Sequence, residues 1–144
     1  MDAQSEDELI QEILTTVRTI AVVGASDNPD RDSNDVMRFL MDRGYEVYPV
    51  NPSVSAEAIH GRKVYATLAD VPDPIDMVDV FRRSEAAGEV CDEAVTAGAS
   101  VVWMQLGVVN EAGKERAEAA GLKVIMDRCP KIEIRRLRIP PREA

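Results

Sequence analysis

One histidine, two cysteines and a single tryptophan in 144 residues leave little material for several kinds of chemistry. His60 sits in a polar loop before Gly61 with no second ligand or nucleophile at a motif spacing. It reads as a surface loop residue rather than a metal ligand or a general base. Cys91 and Cys129 are too few for a disulfide scaffold and suit a reducing, cytoplasmic setting. Basic residues are also scarce: 17 Lys and Arg face 26 Asp and Glu, a net charge of −9, which repels nucleic acid. Long apolar runs are missing too. Val101-Val102-Trp103-Met104 and Met77 to Phe81 fall far short of a membrane span, and the acidic N-terminal stretch does not read as a secretory leader. No Gly-x-x-x-x-Gly-Lys-Ser/Thr loop occurs, so nucleoside triphosphate hydrolysis is not expected.

What is present begins with two apolar runs that bracket one helix-length segment. Ile20-Ala21-Val22-Val23-Gly24-Ala25-Ser26 is followed by Tyr45-Glu46-Val47-Tyr48-Pro49-Val50-Asn51-Pro52. A buried parallel strand that stops at a small-residue turn presents backbone N–H groups at a helix N-terminus, where phosphate binds favourably. Around this opening the pattern continues as one domain over residues 1–144, long enough to bury its own core. Ser5 to Glu8 has capping-box spacing ahead of apolar residues at helical period, predicting a helix over 5–17. Strands are expected at 19–24, 46–50, 77–81, 101–105 and 122–126, with Val64-Tyr65 as a short extra one. Leu68 to Pro72 predicts a single helical turn. Helices are expected from near Ser33 to Gly44, burying Val36, Phe39 and Leu40. Others run from a Ser84 cap to Gly98, burying Val90, Ala94 and Val95, from an Asn110 cap to Gly121, and after Pro130. Residues 51–61 read as loop and the tail from Arg138 as frayed. Strands alternating with helices predict an α/β fold: a doubly wound parallel sheet of about five strands with an extra N-terminal helix. Any ligand then lies above the strand C-terminal ends.

The residues just past each strand are Gly24-Ala25-Ser26-Asp27, Asn51-Pro52, Arg82-Arg83-Ser84, Gln105-Leu106-Gly107 and Asp127-Arg128-Cys129. Arg82, Arg83 and Arg128 fall on this one edge, and Arg31 and Lys131 can reach its rim, so an acidic chain can carry a local cationic patch. Taken singly, each polar residue has an ordinary account as a helix cap or a solvated cation. The set points to a multiply phosphorylated small molecule. A dinucleotide fingerprint needs Gly-x-Gly-x-x-Gly and an acidic residue ending the second strand. This chain has Ser26 and Pro29 at the later glycine positions and Asn51 at the strand end, which disfavours ordinary NAD chemistry.

Three stretches together resemble the stand-alone CoA-binding protein family, whose domain is similar to the CoA-binding domain of the succinyl-CoA synthetase alpha subunit. They are Val22 to Ser26, Gly44 to Pro52, and the ordered set Val80-Phe81-Arg82-Arg83-Ser84, Trp103 to Gly107 and Met126 to Cys129. The resemblance spans roughly residues 15 to 137. It implies a Rossmann-like domain with coenzyme A as ligand, in which the turn Gly24, Ala25, Ser26, Asp27 cradles a phosphate, with Arg31 and Ser33 beside it. Asn51 and Pro52 would border the adenosine end, Val80, Phe81 and Arg82 would line the next crevice, and Gln105 and Gly107 would face the ligand. An arginine would pair with the extra ribose phosphate.

Cys129, between a strand end and Pro130, is either a small packing thiol or a thiol beside that of pantetheine. Trp103, Met104 and Met126 read as core, with Met126 close enough to a strand end to brush a ligand, Cys91 as inert packing, and Glu111, Glu115 and Glu118 as a solvated helix face. The expected function is non-catalytic binding of CoA or an acyl-CoA by a carrier, sensor or regulator, with a homodimer compatible and no nucleic-acid or membrane partner. Two rivals stand beside it. One is an NAD(P)-dependent reductase or a synthetase component working with a separate subunit, and the other an interaction module with a degenerate crevice.

Overall fold

The computed structural model describes residues 3–142, with side chains described from residue 6 onward. Five parallel strands form the central sheet: β1 (Thr19–Val23), β2 (Glu46–Val50), β5 (Met77–Val80), β6 (Val101–Met104) and β7 (Lys123–Ile125), in the order β2-β1-β5-β6-β7. Between β2 and β5 lies a small antiparallel hairpin, β3 (Ala58–Ile59) and β4 (Arg62–Lys63), followed by a 3-10 turn at Leu68–Asp70. Helices α1 (Ala3–Thr16), α2 (Asp32–Asp42), α3 (Ser84–Thr96), α4 (Glu111–Ala119) and α5 (Pro130–Arg136) complete the chain. The fold is the α/β, Rossmann-like arrangement that the alternation predicts.

The strands read as nearly continuous apolar runs because both sheet faces are covered. Ile20, Val22, Met77, Trp103 and Ile125 pack one face against α1, α2 and α5. Ala21, Val23, Val78, Val80 and Met104 pack the other against α3 and α4. Side chains alternate along each strand, so Val80 and Phe81 point to opposite faces. Trp103 is fully buried and donates its Nε1–H to the Arg128 carbonyl at 2.7 Å. Cys91 is also in the core, where burial pushes its thiol up to about 11.

Several expectations need correction. Helix α1 starts at Ala3 and ends at Thr16, and the capping role expected of Ser5 lies outside the described side chains. Ser84 does not cap α3. Arg83 holds that position, and the Ser84 hydroxyl accepts the Val109 N–H at 3.0 Å, tying α3 to the loop after β6. Phe39 and Val95 are only half-buried, and Met37 fills the core position beside Leu40. The expected loop at 51–61 holds β3, whose two-residue turn His60-Gly61 has both residues at positive φ, 50° and 78°, as a type I′ hairpin requires. Tyr65 alone joins the sheet edge, as a single bridge to Val50. The tail is packed rather than frayed. Ile139 is 2% exposed, its carbonyl accepts from Arg43, and the Arg142 N–H donates to the Arg43 carbonyl at 2.7 Å.

Candidate functional site

Counting only the five parallel strands, their order is 2-1-3-4-5, and the winding reverses between β1 and β5. Crossovers leave that point toward opposite faces, so the loops part above the strand ends. A crevice of about 930 Å³ opens there.

Its floor starts at Gly24, where the backbone leaves β1 at φ +95°. A Cβ built on Gly24 would lie 2.1 Å from the Phe81 carbonyl oxygen, so β1 and β5 can approach this closely only through glycine. The amides of Gly24 and Ala25 both point at the Val50 carbonyl, at 2.8 and 3.4 Å. They fasten the turn to β2, so both amides are already engaged. The donors that remain at the crevice are the N–H group of Ser26, which has no acceptor among the described residues, and the first turn of α2. That turn has Arg31 at its N-cap and no capping side chain. Its free N–H groups and the positive end of the helix dipole border the crevice at Asp32 and Ser33.

A chain of hydrogen bonds holds this turn in place. Asn34 is 6% exposed and donates Nδ2–H to the Ser26 carbonyl at 2.9 Å, which leaves its Oδ1 as acceptor. His60 Nε2 lies 2.9 Å from that Oδ1 and 3.1 Å from the Asn34 carbonyl, so this nitrogen carries the proton. The only histidine is thus half-buried and pins the β3–β4 hairpin to the turn, a contact between distant segments that the isolated loop position did not reveal.

The cations at the strand ends have different fates. Arg128 does not line the crevice: its guanidinium pairs with Glu6 at 2.6 Å and Glu133 at 3.0 Å. Glu133 also meets Arg136, which binds Asp7 at 2.6 Å and holds that carboxyl below its usual range. This network clamps α1 to α5. Lys131 reaches the crevice but is paired with Asp35 at 2.7 Å, and Arg83 faces Glu85 at 3.8 Å. Arg31 and Arg82 line the crevice with no ionic partner among the described residues.

The opposite wall comes from the loop after β6 and the start of α5. Gln105 is 7% exposed, and neither end of its side-chain amide meets a protein partner among the described residues; its Oε1 is fully buried. Cys129, also buried, stands at the N-cap position of α5 without a capping side-chain bond and lines the same crevice. Leu106 and Ile132 line the same wall while 55% and 49% exposed. One layer beneath lies Asp79, fully buried between Val22 and Trp103, with both carboxyl oxygens unpartnered. Burial pushes its pKa well above the usual carboxylate range, which favours the neutral acid.

Of the residues expected to meet a ligand, the crevice therefore gathers Gly24, Ser26, Arg31, Ser33, Asn51, Phe81, Arg82, Gln105 and Cys129. The remaining candidates lie off it. Ala25 and Val80 are core, Asp27 and Pro52 point to solvent, and Gly107 donates its N–H to Asp127 Oδ1 at 2.7 Å in the loop beyond. Asn51 lines the crevice with its amide already engaged: Nδ2 donates to the Ala25 carbonyl at 2.8 Å and Oδ1 accepts from Ser53 at 2.9 Å. Leu106 was placed at the strand-end edge without a role, and Val36, Val108 and Ile132 were not expected at the crevice. Apolar residues at loop and helix-start positions were the available signal.

The comparisons with known proteins agree with this geometry. A family model described as a CoA binding domain matches residues 18–135. Uncharacterized protein YneT of Bacillus subtilis (strain 168) is 46% identical over 123 residues, covering 85% of this chain and 90% of that protein. The solved structure of a hypothetical protein from Pyrococcus horikoshii OT3 superposes with a TM-score of 0.86 at 44% identity, covering 91% of each chain. The alpha subunit of an ADP-forming acetate–CoA ligase I from Pyrococcus furiosus is 32% identical over 108 residues, which cover 72% of this chain and 23% of that subunit. This chain belongs to the CoA binding domain family.

Proposed function

We propose that this chain binds coenzyme A or an acyl-CoA in the crevice at the β1/β5 switch point, without itself catalysing a reaction. The observation that carries the reading is the pair Arg31 and Arg82, guanidinium groups lining the crevice next to an uncapped helix N-terminus and engaged by no carboxylate among the described residues. Coenzyme A presents a pyrophosphate and a separate ribose phosphate, which need a helix N-terminus and a charge-assisted partner. Ser26 and the first turn of α2 would hold the pyrophosphate, and one of the two arginines the ribose phosphate. Asn51 bears on the rival dinucleotide reading. Where an acidic side chain would grip the ribose hydroxyls, an amide stands whose two ends already bond to Ala25 and Ser53. The ligase subunit similarity supports common ligand chemistry, and the matched portion is only 23% of that subunit.

Titrating Arg31→Gln and Arg82→Gln with CoA and dephospho-CoA tests this reading. The variant that removes the phosphate partner is expected to lower CoA affinity by about ten- to a hundredfold, as loss of a charge-assisted hydrogen bond does. Its affinity for dephospho-CoA should stay near that of the parent. Two variants that both bind CoA like the parent would contradict it.

A further inference from the structure

The geometry points to Gln105 as the residue that recognises an amide group in the ligand's arm, and so distinguishes CoA from nucleotides that carry no such arm. This rests on the CoA reading of the same crevice. Gln105 follows β6 directly, and its backbone is fixed by an N–H donated to the Val80 carbonyl at 3.3 Å and a carbonyl that accepts from Val108 at 2.8 Å. The residue is only 7% exposed and its Oε1 is fully buried, yet the side-chain amide makes no hydrogen bond to protein among the described residues. Buried primary amides are nearly always satisfied, because leaving donors and acceptors unpaired in the interior is costly.

The surroundings do not relieve it. Cys129 offers only a weak S–H donor, Leu106 and Ile132 are apolar, and Asp79 in the layer beneath has no partner of its own among the described residues. An unsatisfied amide set in a mostly apolar wall is complementary to one kind of ligand group: another amide, which supplies both an N–H and a C=O with a short apolar chain on either side. Phosphate would meet the Oε1 acceptor unfavourably, and a purely aliphatic chain would leave the amide unpaired. The pantetheine arm of CoA carries amides between aliphatic segments, whereas adenosine 3′,5′-bisphosphate has the nucleotide end and no arm. Phosphate recognition at α2 and amide recognition at Gln105 thus divide the crevice into two chemically distinct ends.

The test compares Gln105→Leu with the parent, using CoA and adenosine 3′,5′-bisphosphate as calorimetric probes and thermal unfolding of the free protein as a control. Leucine keeps bulk and removes both polar ends. CoA affinity should fall about tenfold or more, affinity for the bisphosphate should not change, and the free variant should unfold at the parent's temperature or above it, because an unpaired buried amide oxygen has been removed. A purely structural glutamine would give the opposite stability result. Equal losses for both probes, or no loss for CoA, would overturn the inference while leaving CoA binding intact. A parent protein that binds neither probe would overturn both readings. Gln105→Glu supplies a second variant: it retains an acceptor, loses the amide N–H donors and adds charge, and should also weaken CoA more than the bisphosphate.

Discussion

Alanine at Gly24 is expected to cost more than about 4 kcal/mol of folding stability, or to prevent folding. The new Cβ would sit 2.1 Å from the Phe81 carbonyl oxygen and 2.9 Å from its carbonyl carbon. Both are backbone atoms of the neighbouring strand's end, so no side-chain rotation relieves the clash. The N–H of Phe81 bonds to the Val23 carbonyl at 2.8 Å, and moving the two strands apart would break that link and open the crevice floor. Gly107 provides the internal control. It has a similarly positive φ of 81°, but nothing lies within 4 Å of a built Cβ. Gly107→Ala should cost only the backbone strain, about 1–2 kcal/mol. Urea unfolding of the two variants distinguishes steric from conformational cost, and equal losses would contradict the close approach described at Gly24.

Asp79→Asn is expected to stabilise the protein at neutral pH, and the gain should shrink in acid. The folded chain keeps Asp79 protonated because burial raises its pKa well above 3.8, while the unfolded chain releases that proton near the ordinary value. Above that value the folded state binds more protons than the unfolded, so stability falls as pH rises, by about 1.4 kcal/mol per unit for this group. The fall ends where Asp79 itself ionises. Asparagine has nearly the same shape and no proton to retain, so the difference between the two proteins should vanish near pH 4 and grow as pH rises toward 7. Chemical unfolding over that pH range measures it. Parallel curves, or a less stable variant at pH 7, would mean that the carboxyl has a partner.

The five-strand sheet was legible because each strand is a short apolar run closed within a few residues by Gly or a polar residue, and parallel strands buried on both faces produce that pattern. The hairpin was not legible. Two-residue strands are too short to show a period, and His60-Gly61 is not among the strongest turn dipeptides. Placement of residues past the strand ends showed which ones gather at the ligand edge but not which way each side chain turns. Val80 and Phe81 are sequence neighbours on opposite faces, and only Phe81 reaches the crevice. Arg128 stands at a strand end like Arg82, yet Glu6 and Glu133, distant in sequence or on the next helix, draw it away. Ile139 fell in a stretch with two prolines and several charges, and its burial depends on contacts with Arg43 that local sequence does not encode. Asp79 gave no warning either, since an acid inside Met77-Val78-Asp79-Val80 normally marks an exposed position.

Calorimetric titration of the protein with CoA, dephospho-CoA, NAD and ATP side by side tests the central claim most directly. A crevice that joins a helix N-terminus and an unpaired arginine to the Gln105 amide predicts saturable one-to-one binding of CoA, weaker binding of dephospho-CoA and no comparable response to NAD. Silence with CoA, whether accompanied by a response to NAD or by none to any nucleotide, would contradict it.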